Sequence, residues 1–346
     1  MSTPGIKQRV ANVVMGQAIY DALFLPAEHQ TKAQIQSRWP YPSGFQNYIE
    51  THRPKMGHHW KASEYSDDTE QMLCVLDTYL NQNDYGSDVD PYEFARVLKY
   101  WLVSNGRGSG QHTEKVLNHP AFGDTEVLDP DTASRDVWEQ SGKVAMPNGS
   151  LMRNSAVGIL RPWDLDWTER NAVAISRLTH YAPECVAACV AHAVCIACLV
   201  MGQPVSQALS ECTMRASKYD PECVKLILNP SVPEVMDLDE GLDGTCPVRV
   251  GYVYKALAAA FWALQESQKW DPHVPQHLQA HHDLVRLAYC GGDTDTVGCI
   301  SASLVGARMS GGNWHKHLVS GLLERVALEN RVNRLLDRYP IGMVPN

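Results

Sequence analysis

The chain predicts an all-α fold, an orthogonally packed helix bundle, on three observations. Apolar residues recur at helical spacing along almost the whole sequence, with no convincing strand-like alternation. Residues 185 to 202 carry no Asp, Glu, Lys or Arg and are rich in Ala and Cys, as suits a helix at the centre of a large helical core. Asp90, Pro91 and Glu93 supply a cap, a first-turn proline and an N3 acid just ahead of Phe94, Val97, Leu98, Trp101 and Leu102 at core spacing.

In order along the chain, residues 6 to 25 place Val10, Val13, Val14 and Ala18 on one face and end near Pro26. Residues 67 to 81 put Met72, Val75, Leu76, Tyr79 and Leu80 on one stripe, and the helix after Asp90 follows. Further helices fit 168 to 181, 184 to 201, 204 to 217, 221 to 228, 250 to 267, 275 to 289, 295 to 309 and 316 to 338. Two segments, 29 to 64 and 118 to 150, are rich in Pro, Gly, Asp and aromatic residues and read as long irregular loops that carry or cover a site. With 346 residues, 44% of them hydrophobic, and no internal repeat or compositional break, one domain over 1 to 346 is expected.

Charge narrows the partners. A formal charge of -9 with no Lys/Arg run disfavours nucleic acid or an anionic membrane surface. Residues 185 to 202 nearly reach bilayer length, yet contain His192 and stand alone, so burial is expected. The opening residues MSTPGIKQRV show no basic region leading into an apolar one, so no secretory signal is read and a cytoplasmic location is expected. Cys185, Cys189, Cys195, Cys198 and Cys299 fall in apolar helical runs, which favours reduced thiols acting as small hydrophobes. Cys195-x-x-Cys198 has no second such pair. His277 and His281 are spaced i, i+4, but no Cys or acidic partner has matching spacing; with His282 and His58-His59 they read as solvated faces.

Two acidic clusters lie at opposite ends of the chain, Ser66-Asp67-Asp68-Thr69 and Gly291-Gly292-Asp293-Thr294-Asp295-Thr296, each opening a helical stretch. Acids at a helix start also serve as ordinary caps. Two glycines ahead of aspartates at i and i+2 suggest, further, a backbone squeezed past something. Four carboxylates with several hydroxyls form a hard oxygen set suited to Mg²⁺ or Mn²⁺, and a two-metal site if the fold unites them. The loop Gly106-Arg107-Gly108-Ser109-Gly110 precedes a helical stretch from Thr113 and suits an anion, with Arg107 as a charged clamp. Asn148, Gly149 and Ser150, in the run Pro147 to Arg153, suit sugar hydroxyls or a capping turn.

The succession GQAIYDALFLPAE, SDDTEQM, GRGSG, NGSLMR, LTHYAPE and GGDTDTVGCISASLVGARMSG resembles the ADP-ribosylglycohydrolase family over about residues 8 to 312. The resemblance implies an all-α domain with a binuclear Mg²⁺ centre, Mn²⁺ substituting, that frees ADP-ribose from a modified protein side chain. By position it implies Ser66, Asp67, Asp68, Asp293, Asp295 and Thr296 as metal ligands, with Asp295 bridging. It places Glu28 near the reacting ribose, Asn148, Gly149, Ser150 and His180 on ADP-ribose, and the Gly106 to Gly110 loop near the pyrophosphate. Glu28, Asp67 and Asp293 are the candidates for proton work. Where the family commonly has glycine on either side of the first-helix aspartate, this chain has Tyr20-Asp21-Ala22-Leu23-Phe24, and Ser66 replaces the usual Thr. A binding module without turnover, and a hydrolase of a free nucleotide-sugar metabolite, are the alternatives.

Overall fold

A computed structural model describes residues 4–49, 60–104, 107–122, 129–242, 250–310 and 312–340. Among these there are sixteen α-helices and no strands, only two isolated bridges, Gln30 with Gly292 and Pro147 with Tyr252. The first half holds α1 (Pro4–Phe24), α2 (Lys32–Arg38), α3 (Asp67–Asn81), α4 (Pro91–Ser104), α5 (Gln111–Leu117), α6 (Pro130–Gln140), α7 (Ser155–Leu160) and α8 (Leu165–Arg177). The second holds α9 (Pro183–Val200), α10 (Val205–Ala216), α11 (Cys223–Leu228), α12 (Val253–Glu266), α13 (Gln276–Ala288), α14 (Thr294–Arg308), α15 (Lys316–Gly321) and α16 (Arg325–Leu336).

The apolar run does form the central helix. Every residue of α9 from Cys185 to Val200 is buried, and α7, α8, α10, α12 and α14 pack around it. Gly5–Ala27 and Pro183–Val200 are long and apolar enough to cross a membrane, but 94% and 89% of their apolar windows lie inside the bundle. The nine described cysteines are free and buried.

The other axis is α1 against α14. At Gly298 a Cβ would sit 2.4 Å from the Phe24 ring, so a bare backbone at this point of α14 is what lets the bulky α1 residue lie close. Tyr20 is fully buried as well, packed edge-on against Phe24 and Trp314. The Phe24 ring is thus accommodated against α14 and the Tyr20 ring against Trp314 and His281, and neither ring lines the cleft described below.

Several expected boundaries are corrected. Segment 29 to 64 contains α2, which a reciprocal capping box between Thr31 and Gln34 starts. Segment 118 to 150 contains α6, opened by the Asp129 carboxylate accepting from Thr132 N with Pro130 in the first turn. The expected helix over 316 to 338 is two, α15 and α16, because Glu324 takes a left-handed φ of 61° between them. The stretch expected at 168 to 181 is α8, starting and ending earlier at Leu165 and Arg177. Gly106 and the pair His58-His59 lie outside the described residues.

Candidate active site

The two acidic clusters, more than two hundred residues apart in sequence, meet. Asp67 and Asp68 open α3 behind Ser66, whose hydroxyl accepts from Asp68 N and donates to Asp68 Oδ2 at 2.7 Å. The cap of α3 is therefore the Ser66 hydroxyl, which also holds the Asp68 carboxylate in place. Asp293 stands at the N-cap position of α14 without a side-chain capping hydrogen bond, and Asp295 and Thr296 lie in the first turn. The turn between α13 and α14 explains the paired glycines. Gly292 has a φ of +81°, and a Cβ there would lie 2.0 Å from the Leu238 carbonyl oxygen. Its N–H donates to Gln30 O (2.9 Å) and its carbonyl accepts from His29 N (2.7 Å). This pairing fixes the chain carrying Glu28, just past the short turn Leu25–Ala27, against the α14 start.

Two carboxylate groups result. Asp21, Asp68 and Asp295 place one oxygen each within 4.8 Å of one another, as do Glu28, Asp293 and Asp295. Asp295 belongs to both. The first group is wholly buried. Burial, then the neighbouring Asp67 and Asp293 carboxylates, push Asp68 up to about 7. Burial, then Asp68, push Asp21 up to about 8, against hydrogen bonds from Thr69 and Ser66. Carboxylates gathered so closely repel one another and are stabilised by a cation, and an all-oxygen donor set fits a hard divalent one.

Asp21 escaped the site reading although the first-helix aspartate was noticed. It accepts from Ser66 N (2.9 Å), Thr69 N (3.0 Å) and Thr69 Oγ1 (2.6 Å), and so joins α1 to the start of α3. Arg153, the last residue of NGSLMR, was also missed as a positioning group. It is fully buried, and burial lowers it to about 10. It donates to Gln71 Oε1 (3.0 Å), whose amide donates to Asp67 Oδ2 (3.3 Å). Its other arm donates to Ile175 O (2.8 Å) and Thr179 Oγ1 (2.6 Å). Thr179 in turn shares a 2.7 Å hydrogen bond with His180 Nδ1. One guanidinium thus orients both the Asp67 carboxylate and the His180 ring.

Above the carboxylates opens a cleft of about 1340 Å³. Glu28, Asp67, Asp68, Asp293 and Thr296 line its acidic floor; Ser109, Gly110, His112, Asn148, Gly149 and His180 line its walls. Asn148 Nδ2 donates to Asp293 Oδ2 at 2.8 Å, so it orients a floor carboxylate. His180 Nε2 is buried and has no hydrogen-bond partner. Its ring lies 4.8 Å from that of His112. Burial, then His112 and Arg153, hold His180 far below the usual imidazole range, and burial lowers His112 to about 4; both are neutral near pH 7.

Three of the expected substrate contacts lie elsewhere. Arg107 is no clamp for the cleft: Glu64, Glu70 and Glu324 surround its guanidinium, which stacks over Tyr65. Its charge is already satisfied. Gly108, beside it, is buried and outside the lining. The Ser150 hydroxyl points into the core, 3.1 Å from Ser176 Oγ and 3.4 Å from Cys189 Sγ.

Fold and site together define a helical protein that presents a carboxylate centre, fit for a divalent cation, at the floor of a large cleft. The chain belongs to the ADP-ribosylglycohydrolase family, whose model matches residues 2–341. An uncharacterised protein of Archaeoglobus fulgidus is 25% identical, over 96% of this chain and 98% of its own. The ADP-ribosylarginine hydrolases Tri1 of Serratia proteamaculans and Pseudomonas putida are 26% and 25% identical, each over 81% of this chain and over 69% and 68% of their own. A solved chain described as an ADP-ribosylglycohydrolase-related protein complex shares the fold, with a TM-score of 0.66 at 21% identity, covering 96% of this chain and 98% of that one.

Proposed function

We propose that this protein hydrolyses the bond joining ADP-ribose to a modified protein side chain, with two Mg²⁺ ions in the carboxylate centre. The observation that carries the reading is the meeting of both acidic clusters under one cleft, with Asp295 in each oxygen group. Ser66, Asp67, Asp68, Asp293, Asp295 and Thr296 would hold the ions, with Asp21 beside Asp68 and Asp295. When bound, such ions orient vicinal ribose hydroxyls and polarise a water; Mn²⁺ supplies the same chemistry.

The remaining work falls to the protein. Departure of the side chain develops positive charge at the anomeric carbon, which a carboxylate at the cleft floor stabilises. Glu28 carries that role and the accompanying proton transfer, because it lines the cleft from a short irregular segment and its side chain is only 14% exposed. His180 Nε2, buried and without a partner in the cleft wall, offers the bound ADP-ribose a hydrogen bond. The names of the Tri1 relatives support arginine as the acceptor.

Incubation with Mg²⁺ and proteins carrying ADP-ribose on arginine or on serine, read by mass spectrometry, tests the reading. Release from the arginine-linked protein is expected. ADP-ribose binding without release from either would identify a binding module instead, and release only from free ADP-ribose derivatives a metabolite hydrolase.

A further inference from the structure

Arg107 is withdrawn from the cleft, yet what it grips surrounds the site. Its backbone N–H donates to Glu70 Oε2 (3.0 Å) while its Nε lies 3.2 Å from Glu70 Oε1, so one carboxylate holds the main chain and the side chain of the same residue. Glu70 sits in the first turn of α3, two residues after Asp68, and also accepts from Trp101 Nε1 of α4 (2.8 Å). Glu64 Oε1 lies 3.4 Å from the same Arg107 Nε, and Glu324, at the start of α16, meets Nη2. We propose that Arg107 is a positioning residue for ADP-ribose: from behind the cleft it fixes the wall segment of Ser109 and Gly110, so that substrate affinity depends on ion pairs outside the substrate contacts. The inference rests on the reading of the cleft as an ADP-ribose site.

The anchor and the wall are close in the chain. Ser109 and Gly110 line the cleft, and Gly108, which separates them from Arg107, turns the backbone with a left-handed φ of 83°. Where Arg107 is held, the wall is held. The anchor is also rigid: the Arg107, Glu64 and Glu70 side chains are only 12%, 7% and 16% exposed, and the guanidinium lies over the Tyr65 ring, 5.0 Å from its centroid, which fixes its plane. On the far side Glu324 takes a left-handed φ of 61°, a strained conformation for a residue with a side chain, which persists only where its surroundings hold it. Those surroundings include Arg107 and the Tyr65 hydroxyl, which donates to Glu324 Oε2 (2.6 Å), while the preceding Leu323 N donates to Ser63 O (3.2 Å).

The carboxylate floor has its own support. Asp21 takes the hydrogen bonds of Ser66 N, Thr69 N and Thr69 Oγ1 at the start of α3, whereas Arg107 Nη1 reaches Tyr65 O at a long 3.4 Å. Loss of Arg107 therefore loosens the wall and leaves the floor. Fewer molecules then hold Ser109 and Gly110 where ADP-ribose needs them, and apparent affinity falls by that fraction.

Calorimetric titration of the full chain with Mg²⁺ alone, and with ADP-ribose at saturating Mg²⁺, tests the inference. Arg107→Gln should weaken ADP-ribose binding about tenfold or more while Mg²⁺ affinity is retained, a split that a general loss of structure does not produce. Arg107→Lys should restore only part of the affinity, because an ammonium neither forks across three carboxylates nor stacks on Tyr65. Glu324→Gln, at a half-exposed side chain on α16, should weaken ADP-ribose binding in the same direction and decides the matter should Arg107→Gln not fold. ADP-ribose affinity unchanged in the folded variants, or Mg²⁺ affinity lost in step with it, overturns the positioning role and leaves the hydrolase reading standing. Native protein that binds no ADP-ribose overturns both.

Discussion

Asp295 is the residue on which the two acidic clusters depend, since it alone belongs to both groups of converging oxygens among the described residues. Asp295→Asn should abolish turnover and Mg²⁺ binding, yet leave the metal-free fold intact or slightly more stable, because it removes repulsion between close carboxylates. Circular dichroism and calorimetric Mg²⁺ titration check both halves; near-normal turnover would sink the role. Asp68 gives a pH signature. Its folded pKa, about 7, lies above the ordinary aspartate value of 3.8, so the folded protein holds a proton that the unfolded chain has released. The sign follows: its contribution to metal-free stability is fully present below about pH 4 and lost as pH rises through 7. The difference in melting temperature between native protein and Asp68→Asn, measured in chelator, should therefore shift in favour of the variant between pH 4 and 8. At Glu28 the expectation concerns rate: Glu28→Gln should lower kcat by about 10²- to 10⁴-fold with little change in ADP-ribose or Mg²⁺ affinity. If titration instead showed either ligand lost, the proton work would move to Asp67 or Asp293.

At the scale of elements, the junction of α13 and α14 makes the sharpest demand on sequence. Gly292 combines a left-handed φ of +81° with a Leu238 carbonyl 2.0 Å from where a Cβ would stand. Gly292→Ala should therefore displace the α14 start, weaken its pairing with Gln30 and cost both stability and Mg²⁺ affinity, visible in thermal unfolding and calorimetry. This is also where the sequence was most legible. Glycines before two aspartates announced a constrained turn, and the polar cluster from Ser66 announced the α3 start, because such signals are local. The central α9 was legible because its composition admits no solvated face. What escaped was non-local. Asp21 reads as one polar residue in an apolar helix until α3 docks on it, and Arg153 as the end of a motif until Gln71 and Thr179 close around it. Arg107 misled for the same reason: a glycine-flanked arginine suggests an anion, and only the fold brings three glutamates to it. Helices α2 and α6 were hidden by surrounding Pro, Gly and Asp, though their caps were there to find.

For the whole molecule, the carboxylate centre is a joint as well as a site. Asp21 comes from α1, Asp67 and Asp68 from α3, Asp293 and Asp295 from the α14 start, and Glu28 from the segment after α1. These elements belong to the same buried core, so separating the carboxylates means separating α1 from α3 and α14. A ligand that binds only the folded state stabilises it by RT ln(1 + [L]/Kd), about 2.7 kcal/mol at one hundred times Kd. In a chain of this size each kcal/mol moves the melting temperature by only about 2 °C. Saturating Mg²⁺ should thus raise the melting temperature of chelator-treated protein by several degrees, in one cooperative transition, with Mn²⁺ doing the same. Asp295→Asn should begin at or above the native metal-free value and show no Mg²⁺ shift, since it loses the repulsion and the ligand together. Differential scanning calorimetry of both proteins with and without Mg²⁺ decides the matter. A native melting temperature indifferent to Mg²⁺, or an equal shift in the variant, would mean that the ion is not held where α1, α3 and α14 meet, and the two-ion reading of the site would fall with it.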